Sequence, residues 1–265
     1  MPRSITAFSN PVVKQARGLR DKKHRRAEGL FLAEGLRILT EAREAGTLPQ
    51  TLFFSDGGPP LVAAMIEAVE AGGGEAIETS ADILHKISGK DNPQTVIGVY
   101  RQFELGLDRL DRGAAPIWIV AQALRDSGNL GTILRTGDAV GAGGLILVDD
   151  CADPFSVEAV RASMGALFTQ RIAMARWHDF VPWLRSAPAQ LIGTSLRASV
   201  DYQAARYEPP AFILVGNEQA GLPAAYEEEC DVLVKMPMRG KADSLNAAVA
   251  TAVMAYEVIN QWRAA

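Results

Sequence analysis

The sequence predicts an α/β protein in two domains, and three observations carry that expectation. At 265 residues, with 48% apolar and 22% charged side chains, the chain has the composition of ordered cores and length enough for more than one domain. Short apolar runs of strand length alternate with stretches of helical spacing along both halves. Residues 104–114, ELGLDRLDRGA, hold no long apolar run, and Pro116 leads into a fresh one. These features place one domain at residues 1–106, a linker at 107–115 and a second domain at 116–265.

Each element has its own signal. Residues 10–19 read as a helix because Asn10 can cap it and Pro11 suits its first position. Residues 30–33 are short and apolar like a strand, and 36–45 (LRILTEAREA) repeat apolar positions at helical spacing up to Gly46. Strands are expected at 51–54, 76–78 and 96–103, with helices at 61–71 and 81–87 between them. After the linker the order is strand 117–121, helix 130–140, strand 145–148, helix 157–164, strand 171–173, helix 180–185 and strand 190–193. A strand at 211–215, a short helix after Pro223, a strand at 232–236 and a final helix capped by Asp243 or Ser244 complete the chain. Such alternation implies a mostly parallel sheet with its ligand at the carboxyl ends of the strands.

Composition excludes several classes. Cys151 and Cys230 are too few for a disulfide framework and have no spacing suited to zinc, so a reducing, cytoplasmic setting without metal is expected. Neither a secretion signal nor a membrane span is evident. The net charge of −4 is unevenly spread, because residues 1–37 carry nine Lys/Arg against three acids, or +6, and leave about −10 for the rest. Lys14, Arg17, Arg20, Lys22, Lys23, Arg25 and Arg26 form the densest basic stretch and are candidate RNA contacts, since neutralised phosphates release condensed counterions. A solvated helix end is the bland alternative.

Three loops carry chemistry. In DSGNLGTILRT (126–136), Asn129 and Gly131 stand where a helix begins, a position that leaves amides unpaired and lets the backbone approach a ligand. Arg135, on that otherwise small and apolar helix, needs a partner: Asp138 or Asp126 in a structural pair, or a phosphate or developing alkoxide in a functional one. In VGNEQAGLP (215–223), small residues follow a buried strand and Glu218 can act either as a turn acid or as a polar contact. The third loop is MPMRGKADSLN (236–246). The glycines of GAGG (141–144) precede a strand, so they do not make a dinucleotide fingerprint.

Taken together, these motifs resemble the SpoU/TrmH family of RNA ribose 2'-O-methyltransferases in the SPOUT superfamily. VRASMGALF (160–168) also looks like a family stretch, while Ser127 stands where the family usually has Pro. The resemblance implies a C-terminal SPOUT α/β domain with a trefoil knot, preceded by a ribosomal-protein-like substrate-binding domain. It implies S-adenosylmethionine (S-adenosyl-L-methionine) as cofactor, held by Thr194, Ser195, Val215, Gly216, Asn217, Met236, Met238, Ser244 and Leu245. It further implies a catalytic set of Arg135, Asn129, Glu218, Ser244 and Asn246, a homodimer, and an RNA substrate, with rRNA favoured slightly over tRNA. A non-catalytic RNA-binding protein and a base methyltransferase are the alternatives.

Overall fold

The computed structural model describes residues 2–55, 60–90 and 94–264. In chain order the elements begin β1 (Arg3–Ile5), α1 (Pro11–Gly18), α2 (Lys22–Glu28), β2 (Leu30–Glu34), α3 (Leu36–Glu44), β3 (Thr51–Phe54), α4 (Pro60–Ala71), β4 (Glu75–Thr79), α5 (Ala81–Ser88) and β5 (Val96–Arg101). They continue with β6 (Ile117–Gln122), α6 (Ser127–Val140), β7 (Leu145–Val148), α7 (Val157–Ala162), α8 (Ala166–Thr169), β8 (Ile172–Ala175), α9 (Trp177–Arg185) and β9 (Gln190–Thr194). The last are β10 (Val200–Asp201), β11 (Ala211–Val215), α10 (Ala224–Glu228), β12 (Val232–Lys235) and α11 (Ala247–Ala264).

Four elements, β1, α2, α8 and β10, have no counterpart in the sequence reading, for physical reasons. β1 and β10 are edge strands of three and two residues, too short to show a period. Helix α2 is almost wholly charged, so no apolar stripe announces it; Asp21 accepts from the Lys23 amide at 2.7 Å, and Gly29, at φ +64°, ends it. The helix expected over 157–164 ends at Ala162, and Met164 (φ +53°) and Gly165 (φ +105°) turn the chain before the separate single turn α8, which is too short to show a period.

The chain divides into two compact units, Met1–Phe103 with Asp153–Thr169, and Glu104–Ala152 with Gln170–Ala265. This differs from the contiguous second domain expected at 116–265. In the first unit Phe155 and Phe168 lie 5.0 and 5.9 Å from the Phe31 ring, and Phe168 is 4.9 Å from Tyr100, so aromatic burial draws α7, α8 and their flanks into that core. Its five-stranded sheet runs β1-β4-β3-β5-β2 and is mixed: β1, β4 and β3 are parallel, while β5 pairs antiparallel with β3 and β2.

The second unit is a seven-stranded, wholly parallel sheet in the order β10-β12-β9-β11-β6-β7-β8. Its central strands β6 and β11 are buried along their whole length, as a parallel sheet covered on both faces requires. Trp118 of β6 stacks on Phe212 of β11 at 5.8 Å. A Cβ on Gly143 would lie 2.4 Å from that indole, which explains one of the GAGG glycines by packing; Gly141, at φ +69°, ends α6. Helix α11 packs on α6 and β11. Burial pushes the free thiols of Cys151 and Cys230 up to about 11 and about 12. Among the described residues no helix is long and apolar enough to cross a membrane.

Candidate active site

Strands β9, β11 and β12 are neighbours in the second unit, and their carboxyl ends open onto one cavity of about 350 Å³. All nine residues assigned to the cofactor by resemblance line it: Thr194 and Ser195 after β9, Val215 to Asn217 after β11, Met236 and Met238 after β12, and Ser244 and Leu245 before α11. Ligands collect at carboxyl ends in such sheets because the loops there are free to diverge.

The β11 loop is a tight construction. A Cβ on Gly216 would stand 2.5 Å from the carbonyl carbon of Gly221, so only glycine lets the two chain segments touch. Asn217 accepts from the amides of Gln219 and Ala220, both at 3.0 Å, and donates to the Ala123 carbonyl at 2.8 Å. Its side chain therefore shapes the loop.

Beside the cavity the three motifs are joined by one directed chain of hydrogen bonds. Asn246 Nδ2 donates to Asn129 Oδ1 at 2.8 Å, and Asn129 Nδ2 donates to Glu218 Oε1 at 3.3 Å. Glu218 also accepts from the amides of Arg125 and Asp126, at 3.3 and 3.2 Å. Partial burial raises the Glu218 pKa, but its own amide and the bonds from Asn129, Arg125 and Asp126 outweigh that and hold the carboxyl below its ordinary range. An ionised Glu218 fixes the direction of both amides, since a carboxylate only accepts.

Two expectations are corrected here. The amides at the start of α6 are partly taken: Asp126 Oδ1 accepts that of Asn129 at 2.6 Å, and Glu218 takes those of Arg125 and Asp126 just before the helix. Gly131 is buried inside the helix. Nor do Asp243 or Ser244 cap α11; Asn246 does, accepting from Ala248 and Val249 at 2.9 and 3.3 Å. Asn246 thus anchors the helix with one side-chain atom and reaches Asn129 with the other.

Arg135 does not line the cavity. Six residues beyond Asn129, it lies roughly 120° around α6 and about 9 Å along it, on an exposed face. Among the described residues no ion pair joins it to Asp126.

The sequence reading missed Arg197 and Glu227, which also line the cavity and pair at 2.9 Å. Arg197 Nη2 donates to the Leu222 carbonyl at 2.8 Å as well, tying the β9 loop to the β11 loop. Burial raises the Glu227 pKa, but Arg197 and Ser195 reverse the balance and lower it. The available signal was an Arg two residues past Ser195 at a strand end. Among the described residues no group of three His, Cys, Asp or Glu side chains could hold a metal ion.

The expected RNA-contacting set divides. Lys14, Arg17, Arg20, Lys22, Lys23 and Arg26 are exposed, but Arg25 is only 3% exposed. It is corrected to a structural residue, because its guanidinium pairs with Asp153 at 2.7 Å and donates to the Leu19 and Arg20 carbonyls. Buried and fully partnered, it has nothing left for a phosphate.

Comparison with known proteins bears on this geometry. Residues 116–256 match the model of the SpoU rRNA Methylase family, and residues 10–98 match the MRM3-like substrate binding domain. A 23S rRNA (uridine(2479)-2'-O)-methyltransferase of Streptomyces viridochromogenes is 32% identical over 92% of this chain and 86% of that protein. The 23S rRNA (guanosine(2553)-2'-O)-methyltransferase RlmP of Bacillus subtilis is 28% identical over 97% of this chain and 99% of its own. The crystal structure of an AdoMet-bound rRNA methyltransferase from Sinorhizobium meliloti superposes with a TM-score of 0.91, at 40% identity over 98% of both chains.

Proposed function

Because the chain belongs to the SpoU rRNA methylase family, we propose that it transfers a methyl group from S-adenosylmethionine to a ribose 2'-hydroxyl of ribosomal RNA, in the cytoplasm. The observation that carries this reading is the Glu218–Asn129–Asn246 chain, which joins all three motifs beside one cavity.

The cavity suits the cofactor by its own chemistry. Val215, Leu245 and the two methionines offer apolar walls to a flat ring, and Glu218 and Glu227 favour a cationic ligand. The cofactor supplies a methyl group on a positively charged sulfur, ready for displacement by an oxygen nucleophile. A ribose hydroxyl is a weak nucleophile, so the protein must position it and stabilise the charge that develops on its oxygen. Asn129 and Asn246, locked in orientation by Glu218, position the sugar, and Ser244 adds a hydroxyl at the cavity wall. Arg135 is the electrostatic clamp; a guanidinium resists deprotonation, so the proton leaves to water or to a phosphate oxygen.

Since Arg135 is turned away from the cavity of its own chain, the site is completed by the Arg135 of a second copy in a homodimer. The surface of α11 supports this reading: Val249 and Tyr256, seven residues apart on one face, are 48% and 56% exposed. The loops after β9, β11 and β12 are read as threaded in a trefoil knot.

The direct test incubates the purified protein with methyl-labelled S-adenosylmethionine and protein-free 23S rRNA, then digests the RNA to nucleosides. Label in a 2'-O-methylnucleoside is the expected result. Label on a base, or RNA binding without transfer, overturns the reading.

A further inference from the structure

Two adjoining depressions open on the first unit where the ends of α1 and α5 pack together. One, of about 420 Å³, is lined by Arg17, Arg20, His85, Lys86 and Gly89. The other, of about 380 Å³, shares Arg17 and Arg20 and adds Gly18, Asp21 and His24. Among the described residues, none of the side chains of Arg17, Arg20, His85 and Lys86 forms an ion pair with an acid. Two nearby acids have other partners, although Glu34 also feels the charge of Arg20 and Asp21 lines the second depression. Asp21 caps α2 and sits 3.6 Å from His24, while buried Glu34 pairs with Lys90 at 3.2 Å and accepts from Ser88.

Basic residues in the last turn of a helix can simply answer its dipole, and Arg17, His85 and Lys86 stand in such turns. Arg20 does not, since it follows the end of α1. Its guanidinium lies over Gly89, where a Cβ would be 2.1 Å from Cζ, and Gly89 holds a φ of +71°. A side chain laid across a bare backbone into a shared basic groove is placed for an anion. The lining holds no Phe, Tyr, Trp or aliphatic side chain, and three of its side chains, Arg17, Arg20 and Lys86, are permanently cationic beside the imidazoles of His24 and His85, so it matches the charged phosphate backbone better than a base.

We propose that the α1/α5 groove binds backbone phosphates of the RNA substrate, with Arg17, Arg20, His85 and Lys86 as its contacts. This rests on the reading of the protein as an RNA methyltransferase and assigns the place where its first unit holds the substrate. His85 and Lys86 lie outside the basic N-terminal stretch and enter the site only through the fold.

The test measures binding of the full-length protein to protein-free 23S rRNA without cofactor, between 50 and 200 mM salt. Arg17→Gln with Arg20→Gln, and separately His85→Gln with Lys86→Gln, are expected to weaken binding about tenfold and to lower the slope of log K against log salt by about 1 to 2. A control that also removes two arginines, Arg43→Gln with Arg206→Gln, matches the Arg17/Arg20 variant in charge and is expected to leave the slope unchanged. Gly89→Ala keeps every charge but displaces Arg20, and is expected to weaken binding less than either double variant. Unchanged slopes in both groove variants, or equal losses in groove and control, overturn the proposal. Failure of methyl transfer by the unaltered protein would instead overturn the functional reading, and the binding slopes report on the groove independently of it.

Discussion

The cavity of the parallel-sheet unit and the basic groove of the mixed-sheet unit treat their polar groups in opposite ways. Around the cavity, Glu218, Asn129, Asn246, Asn217, Arg197 and Glu227 are each held by named partners. In the groove, Arg17, Arg20, His85 and Lys86 form no ion pair with an acid among the described residues. Displacement at a ribose oxygen depends on geometry, so its groups must be fixed in advance. Attraction to a phosphate backbone depends on charge, and side chains free to follow the strand serve it better. Order and looseness are thus distributed by task.

Arg135 is the exception that tests this contrast most severely, being an exposed cation assigned to the cavity. Arg135→Ala should lower methyl transfer by about 10²–10³-fold or more, the scale of a lost transition-state charge contact, while cofactor affinity measured by calorimetry stays nearly intact. Mixing it with a Gly216→Ala chain, at a cofactor concentration too low to load that chain, should restore partial activity if Arg135 serves a second copy. Retained turnover in the single variant would remove Arg135 from the mechanism.

Gly216→Ala probes the fixed side directly. The added Cβ meets backbone rather than a movable side chain, so the β11 loop must shift, at a cost of about 1–3 kcal/mol. Cofactor affinity should fall by about tenfold or more in a calorimetric titration, and unaltered affinity would show that the loop is not rigid.

Asn246→Asp separates the two tasks of one side chain. The cap on α11 survives, so the melting temperature should move little, whereas the donor to Asn129 is lost and transfer should fall at least severalfold. Asn246→Ala loses both and should also destabilise the fold by about 1 kcal/mol. Equal activity in the Asp variant would mean that the hydrogen-bond chain is only structural.

The smallest expected effect is on pH dependence. The Glu218 carboxyl is held below its ordinary value of 4.5 in the folded protein, so its contribution to stability is full above that value and is lost as pH falls through the folded one. Denaturant unfolding of the parent protein and Glu218→Gln should therefore differ most near neutrality and converge below pH 4.5. A constant difference across that range would show that Glu218 gains nothing from its charge.

Much of this was legible before any fold was known, and the exceptions are instructive. Strands such as Thr51–Phe54 and Ala211–Val215 and the Asn10 cap of α1 follow from local rules, because burial on both faces and an end with unpaired amides leave marks in adjacent residues. Helix α2 left no such mark, having almost no apolar face to bury. The three motifs likewise stood out in order along the chain, and the resemblance they carry named nine residues that line the cavity, though not Arg197 or Glu227.

What the sequence determined by itself, then, was the alternation of elements and the identity of the chemical groups, since both depend on neighbours within a few residues. Only the tertiary structure decided that Arg25 is buried against Asp153, that Asn246 both caps a helix and holds Asn129, and that His85 joins Arg20 in a groove. Apart from the local cap, each of those pairings spans tens of residues or more. No periodicity reaches so far; the packing of sheets and helices alone brings such groups within bonding distance.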